Sequence, residues 1–227
     1  MFYPLQVFVF LCFLFIPALA SQNLEENEYV IDRSHSSVAF GIKHLSVADT
    51  IGVFEEFDGK LIFSNGTIQS LQGSVDIKSV NTFNKARDED LQNSKFFSQK
   101  EAFLESISVD KGKMRAYLTI NGVKKEVLFS VKTMGPIVNP SLKQNQASFI
   151  LKNPLLANGK NPQNALFMSG NKPSDSDCAC YKSYGEKVLG LELNGVINRF
   201  DFNVASDTPG ELLGSSVWIR IIIEASR

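Results

Sequence analysis

Hydrophobic and polar residues alternate with a period of two over much of the chain, beginning near Tyr29. The clearest run closes the sequence, where Val217, Ile219, Ile221 and Ile223 fall on one face. Strict alternation over four to eight residues is typical of a β-strand with one buried face. Glycines recur between these runs and favour turns. The pattern therefore predicts a domain made mainly of β-strands.

One stretch predicts a hairpin in detail. Met114, Ala116, Leu118 and Ile120 share one face of a strand, and Asn121-Gly122 follows directly. Asn-Gly between two alternating runs is the strongest short hairpin signal, because both residues tolerate the positive φ of a type I′ turn. We expect the next strand to begin immediately after Gly122.

A single segment, Lys85 to Gln99, has the character of a helix. It is rich in charge, lacks glycine and proline, and carries Leu91, Phe96 and Phe97. Such a short amphipathic helix is expected to lie over one end of a sheet. Many strands, regular turns and one helix favour an antiparallel barrel of about eight strands or a sandwich.

The first twenty residues differ from the rest. Leu5 to Ile16 is almost unbroken apolar sequence, Pro17 follows, and Ala18 and Ala20 stand where a signal peptidase reads small residues. The alternative is an uncleaved membrane anchor, but the apolar run is shorter than the ~20 residues that span a bilayer. We predict a signal peptide over 1–20, a tail over 21–27, a domain over 28–227, and a periplasmic or secreted protein with no stable membrane insertion.

Residues 153–187 break the strand pattern with several prolines and polar residues. A long irregular stretch inside a compact domain is either a tolerated surface insertion or functional, here a flap over a cavity mouth. It contains Cys178 and Cys180. Their spacing leaves open a strained local disulfide, a soft-metal site, a link to another chain or no role.

Charge and motifs argue against several function classes. Lysine plus arginine (23) nearly equals aspartate plus glutamate (24), and no basic stripe predicts a nucleic-acid partner. The two histidines, His35 and His44, lie too far apart on an extended strand to share a zinc ion. Gly-x-Ser-x-Gly and phosphate-binding glycine patterns are missing from the sequence. We expect no enzyme, no metal and no cofactor.

Motifs in order along the chain resemble those of the YceI-like family. They are Tyr29-Val30-Ile31-Asp32 with His35-Ser36, Gly52-Val53-Phe54, Arg87-Asp88 followed by Leu91 and Phe96-Phe97, Leu118 to Val123, and Asn198-Arg199-Phe200-Asp201-Phe202. The resemblance covers nearly all of the mature chain. It implies a lipocalin-like antiparallel barrel that binds isoprenoid or other long-chain lipids, usually in the periplasm, and it leaves a homodimer open.

A barrel of eight strands has room inside for side chains or for one slim ligand. The residues expected to line an apolar tunnel are Phe40, Ile42, Phe54, Phe97, Leu118, Phe129 and Ile221. Arg87 and Asp88 are predicted at a polar rim, the alternative being a local arrangement at the start of the helix. Arg199 is expected either near a ligand head group or as a buttress of the wall.

Two functional hypotheses follow from these observations. The first is binding, sequestration or transport of a long apolar lipid, of isoprenoid or fatty-acyl type, inside the barrel. The alternative is a barrel without an internal ligand that acts through its surface in stress or adhesion. An open interior lined by carbon distinguishes the first hypothesis from the second.

Overall fold

The computed structural model describes residues 27–140 and 185–227. The predicted signal peptide, most of the 153–187 insertion, Cys178 and Cys180 lie outside these ranges. The strands are β1 (Glu28–Ile31), β2 (Ser37–His44), β3 (Ala48–Phe54), β4 (Phe57–Ser64), β5 (Thr67–Asp76), β6 (Val80–Asn81), β7 (Glu101–Asp110), β8 (Lys113–Ile120), β9 (Val123–Val138), β10 (Lys187–Asn198) and β11 (Leu213–Ser226).

Eight of these strands form a closed antiparallel ring, which confirms the predicted barrel. Going round, the order is β1, β4, β5, β7, β8, β9, β10, β11 and back to β1. The ring closes where Val30 pairs with Ser226 and Ile31 with Ala225. The same edge of β11 then pairs with β2 from Ile222 towards Leu213, so β2 and β3 extend the wall at one end of the barrel.

The Asn-Gly hairpin is confirmed. β8 ends at Ile120 and β9 begins at Val123, with φ of 53° at Asn121 and 75° at Gly122. Met114, Ala116, Leu118 and Ile120 are buried, whereas Arg115 and Tyr117 on the opposite face are exposed. The period-two pattern of β8 thus separates the inside of the barrel from its outside.

The helix is shorter than predicted. α1 spans Lys85–Leu91, and Gln92 is its C-cap. The prediction of a helix to Gln99 was wrong because Asn93 turns the chain: its side chain accepts from the Lys95 N–H, and its carbonyl accepts from those of Phe96 and Phe97. Asparagine favours such local bonds over helix continuation. Over the described ranges, no helix combines the length and apolar character needed to cross a bilayer.

Candidate ligand-binding site

A cavity of about 510 Å³ lies inside the barrel. Several of its lining side chains are buried, among them Leu71, Leu104, Phe129 and Ile223, each less than 10 % exposed. Ligand-binding cavities commonly measure ~300–1,000 Å³ and are mainly apolar. The size and the carbon-rich wall are therefore those of a site for one elongated apolar molecule.

All seven side chains expected to line a tunnel border this cavity. They are Phe40, Ile42, Phe54, Phe97, Leu118, Phe129 and Ile221. They come from six segments of the chain: β2, β3, the turn after α1, β8, β9 and β11. Alternation along each strand explains why they face inwards. The structure brings them together around one space.

Further lining residues lie in the same inward series. Val217 and Ile219 precede Ile221 on β11, and Leu91 and Phe96 cover the cavity from α1 and its following turn. The alternation on β11 already identified Val217 and Ile219 as sharing a face with Ile221. The polar residues His44 and Lys95 carried no comparable signal, because only the path of the chain places them at the cavity.

Three aromatic rings form one side of the cavity. The rings of Phe40 and Phe54 have centroids 5.4 Å apart at 36°, and those of Phe54 and Phe97 are 6.4 Å apart at 74°. Phe97 comes from the turn after α1, so it links that turn to the wall formed by β2 and β3. The Phe54–Phe97 pair is edge-to-face, an arrangement that stabilises packing by ~0.5–1.5 kcal/mol.

Small inward residues leave the cavity open on the opposite side. Gly73 lies between Leu71 and Val75 on β5, and Val75 pairs with Ala102 on β7. A Cβ at Gly73 would meet only the carbonyl oxygen of Asp58, at 3.4 Å. Since neither Gly73 nor Ala102 projects a long side chain, the space between the walls stays unfilled.

The mouth is framed by three segments that contact one another. These are the β2–β3 hairpin, α1 with its following turn, and the loop between Phe202 and Leu213. The N–H of Leu45 donates to the carbonyl of Leu212, and the N–H of Ala205 donates to that of Lys95. The Lys95 ammonium lies 3.5 Å from the carboxylate of Asp207. Polar side chains at this mouth include His44, Thr50, Arg87, Asp90, Lys95 and Thr208.

Arg87 and Asp88 both bind Thr82 but take different positions. The Arg87 guanidinium donates from Nε to Thr82 Oγ1 and from Nη2 to the Thr82 carbonyl, at 2.8 and 2.7 Å. Asp88 Oδ1 accepts from the backbone N–H and the hydroxyl of Thr82. Arg87 borders the cavity, whereas Asp88 is not among its lining residues. Asp88 therefore anchors the rim rather than facing its interior.

Arg199 is 1 % exposed and holds the loop on one side of the mouth. All five of its N–H groups donate to main-chain carbonyls, those of Val204, Ala205, Thr208, Leu213 and Gly214. Burial lowers the pKa of this guanidinium from its usual range, although arginine stays charged at neutral pH. Of its two expected roles, the geometry corresponds to the buttress, because no N–H remains for a head group.

Asp32, His35 and Glu224 form the one group in the described part of the chain whose potential metal-ligand atoms lie within 4.8 Å of one another. Asp32 and His35 lie on the turn before β2 and Glu224 lies on β11, and none of the three lines the cavity. Asp32 Oδ1 accepts from the N–H and hydroxyl of Ser34, and Oδ2 lies 2.9 Å from His35 Nδ1. This bond to Asp32 raises the pKa of His35 above its ordinary 6.5. The turn explains these contacts by itself.

Known proteins share this architecture. A Campylobacter jejuni YceI protein has a TM-score of 0.59 at 23 % identity, covering 82 % of this chain and 90 % of that one. BcnA of Burkholderia cenocepacia has a TM-score of 0.56 at 16 % identity, covering 86 % and 99 %. A polyisoprenoid-binding domain from Saccharophagus degradans has a TM-score of 0.53 at 11 % identity, covering 88 % and 98 %. These likenesses show the fold.

Sequence comparison gives the family. A UPF0312 protein of Staphylococcus aureus is 29 % identical over 207 residues, which cover 87 % of this chain and 96 % of the relative. The family model described as the YceI-like domain matches residues 29–225. The match spans all but the first and last residues of the closed ring of strands, together with the cavity inside it. This chain belongs to the YceI-like family.

Proposed function

We propose that this protein binds one long-chain apolar lipid, of isoprenoid or fatty-acyl type, inside the barrel and thereby sequesters or carries it. The single observation that carries the proposal is the cavity of about 510 Å³, enclosed by aromatic and aliphatic side chains. The alternative, a barrel acting only through its surface, predicts an interior filled by side chains. The space between Gly73 and Ala102 on one side and the aromatic rings that include Phe40 on the other is open, which favours lipid binding over the surface-only alternative.

The energetics suit a hydrocarbon. Burying each CH₂ contributes ~0.8 kcal/mol, so ten methylene groups outweigh the loss of translational and rotational freedom by several kcal/mol at the lower estimates of that loss. A hydrocarbon tail needs no hydrogen-bond partner, and the inner wall offers few. Length and width of the cavity would then set the specificity for the tail.

The family membership supports the same class of ligand. The Saccharophagus degradans neighbour is a polyisoprenoid-binding domain with this fold. Binding rather than catalysis is also supported by the polar groups near the cavity. Arg199 donates all its N–H groups to the main chain, and Arg87 and Asp88 are both bonded to Thr82. None of these contacts has the nucleophile–base geometry of a catalytic site.

Solvent extraction of the purified protein, followed by mass spectrometry, tests the proposal. We expect a reproducible lipid with a long apolar chain in the extract, and uptake of an added fluorescent isoprenoid or fatty-acyl probe by the delipidated protein. An extract without any lipid, together with no uptake of either probe, would contradict lipid binding. Chemically denatured protein at the same concentration controls for non-specific adsorption.

We further propose that the protein acts after export, in the periplasm or outside the cell. The apolar run from Leu5 to Ile16 and the small residues before Ser21 support a cleaved signal peptide. N-terminal sequencing of the protein from its native host should begin at Ser21. A chain that retains Met1 would contradict the proposal.

The homodimer implied by the resemblance is a separate prediction, which light scattering on the purified protein tests.

A further inference from the structure

Arg87 is held in place by a buried neighbour. Thr82 is 2 % exposed and follows directly after β6, which pairs with β3 through Val53 and Asn81. Two N–H groups of Arg87 donate to this threonine, and Asp88 Oδ1 accepts from the backbone N–H and the hydroxyl of the same threonine. The guanidinium is therefore oriented before any ligand arrives.

The remaining donors of Arg87 are available. A guanidinium has five N–H groups. Two are engaged by Thr82, which leaves three without an acceptor among the described residues. Within the same ranges, Arg87 takes part in none of the ion pairs, whereas Lys95 is paired with Asp207 and Lys85 with Glu89. Arg87 is thus a fixed cation at the cavity mouth that makes no direct ion pair among the described residues; its contact with the Asp88 carboxylate is indirect, through the Thr82 hydroxyl that both bind.

Arg87 and Arg199 are lining cations for which the described part of the chain shows no ion pair. The described cavity lining includes the cations of Arg87 and Lys95, with His44 beside them, and the carboxylates of Asp58 and Asp90; Lys95 is paired with Asp207. Arg199 adds a buried positive charge beside the loop between Phe202 and Leu213, to whose carbonyls it donates. An apolar tail inserted into the cavity would place its head group among these residues.

We propose that the mouth recognises an anionic head group, a carboxylate or a phosphate monoester, and that Arg87 binds it. The inference rests on the lipid-binding function proposed above. Guanidinium and oxyanion groups match in shape and charge, and their hydrogen bonds are about twice as strong as neutral ones. The ligand is accordingly an amphiphile with an acidic head and a long apolar tail.

The test uses pairs of ligands that share a tail and differ in charge. An eighteen-carbon monounsaturated carboxylate is compared with its primary amide, and farnesyl phosphate with farnesol, by titration of the delipidated full chain. We expect the wild type to bind the anion of at least one pair about tenfold more tightly, and less so at high salt. The pair that shows the preference identifies the head group as carboxylate or phosphate.

Arg87→Gln should reduce this ratio to about one, because it removes the charge. Arg87→Lys should restore part of it. Lys85→Gln, on the same helix but away from the cavity lining, is the matched control and should keep the wild-type ratio. Thermal unfolding of each variant shows whether the loss of the Thr82 bonds has disturbed the fold. If Arg87→Gln is disturbed, the affinity ratio of Arg87→Lys is compared with that of the wild type instead.

The outcomes separate the two proposals. If none of the four ligands binds to the wild type, lipid binding itself fails. If ligands bind but the anions have no advantage, the acidic head group is wrong although lipid binding stands. If the anions have an advantage that Arg87→Gln and Arg87→Lys both leave unchanged, the assignment to Arg87 is overturned.

Discussion

The ring of Phe129 lies against the backbone of Gly195, its direct cross-strand partner on β10. A Cβ at Gly195 would stand 2.7 Å from both Cδ1 and Cε1 of that ring. Phe40 covers its partner Gly52 in the same way inside the barrel. An aromatic ring over a glycine compensates for the missing side chain and fixes the strand register. The rings of both pairs line the cavity, and each is held against the strand by its partner glycine.

Replacing Gly195 with alanine should therefore destabilise the protein. The new methyl group forces the Phe129 ring towards the cavity, at a cost of ~1–3 kcal/mol in the free energy of unfolding. Gly73→Ala is the control, because its Cβ would meet nothing closer than 3.4 Å. Urea denaturation gives the free energy of unfolding of Gly195→Ala and of Gly73→Ala. Phe129→Leu should remove most of the Gly195→Ala penalty in the double variant, and equal effects of the two glycine variants would refute the role of the ring.

Filling the cavity should abolish lipid uptake without unfolding the barrel. Gly73→Leu projects a side chain into the space between β5 and the opposite wall, so we expect at least a tenfold loss in affinity for a long-chain probe. Gln69→Leu places the same side chain on the exposed face of β5 and should bind normally. Fluorescence titration measures both variants. Wild-type affinity in a well-folded Gly73→Leu protein would show that the ligand binds elsewhere.

Loss of the Arg199 guanidinium should loosen the mouth. Arg199→Met leaves five carbonyl groups without their donors and should reduce the free energy of unfolding by about 3–5 kcal/mol. Arg199→Lys keeps three donors, so its free energy of unfolding should lie between those of the wild type and Arg199→Met. Arg220→Met, which breaks a partly exposed pair with Glu192, should cost less than about 1 kcal/mol. Hydrogen exchange should locate the loss of protection in residues 203–213, and unchanged protection there would contradict the assignment.

The turn before β2 should respond to pH. The bond from Asp32 raises the pKa of His35, so the folded state favours the protonated imidazole. This stabilising contribution is fully present below the ordinary pKa of 6.5 and is lost as pH rises through the higher folded value. NMR titration of His35 should show the raised pKa. Asp32→Asn should return the pKa of His35 towards 6.5, and Glu224→Gln should lower this pKa by a smaller amount. An unchanged His35 pKa in Asp32→Asn would exclude the bond to Asp32 as the cause of the shift.

Local pattern was enough for the strands and for the faces they bury. Leu118 and Phe129 could be assigned to the interior because side chains on a strand alternate between two faces, and Asn121-Gly122 marked a hairpin because both residues tolerate positive φ. The end of the helix could not be predicted from local pattern. The charge and aromatic pattern continued to Gln99, but the side chain of Asn93 offered the backbone a competing turn.

The sequence by itself determined the alternating strands, the turns between them, the inward positions of the cavity wall and, through its motifs, the family. Only the tertiary structure decided that β1 meets β11, that Gly73 and Ala102 leave a cavity, and that Arg87 is fixed by Thr82 while Arg199 is fully engaged by carbonyls. The reason is physical: alternation depends on neighbours along one strand, whereas empty volume and the acceptors of a buried guanidinium depend on segments that meet only when the barrel closes.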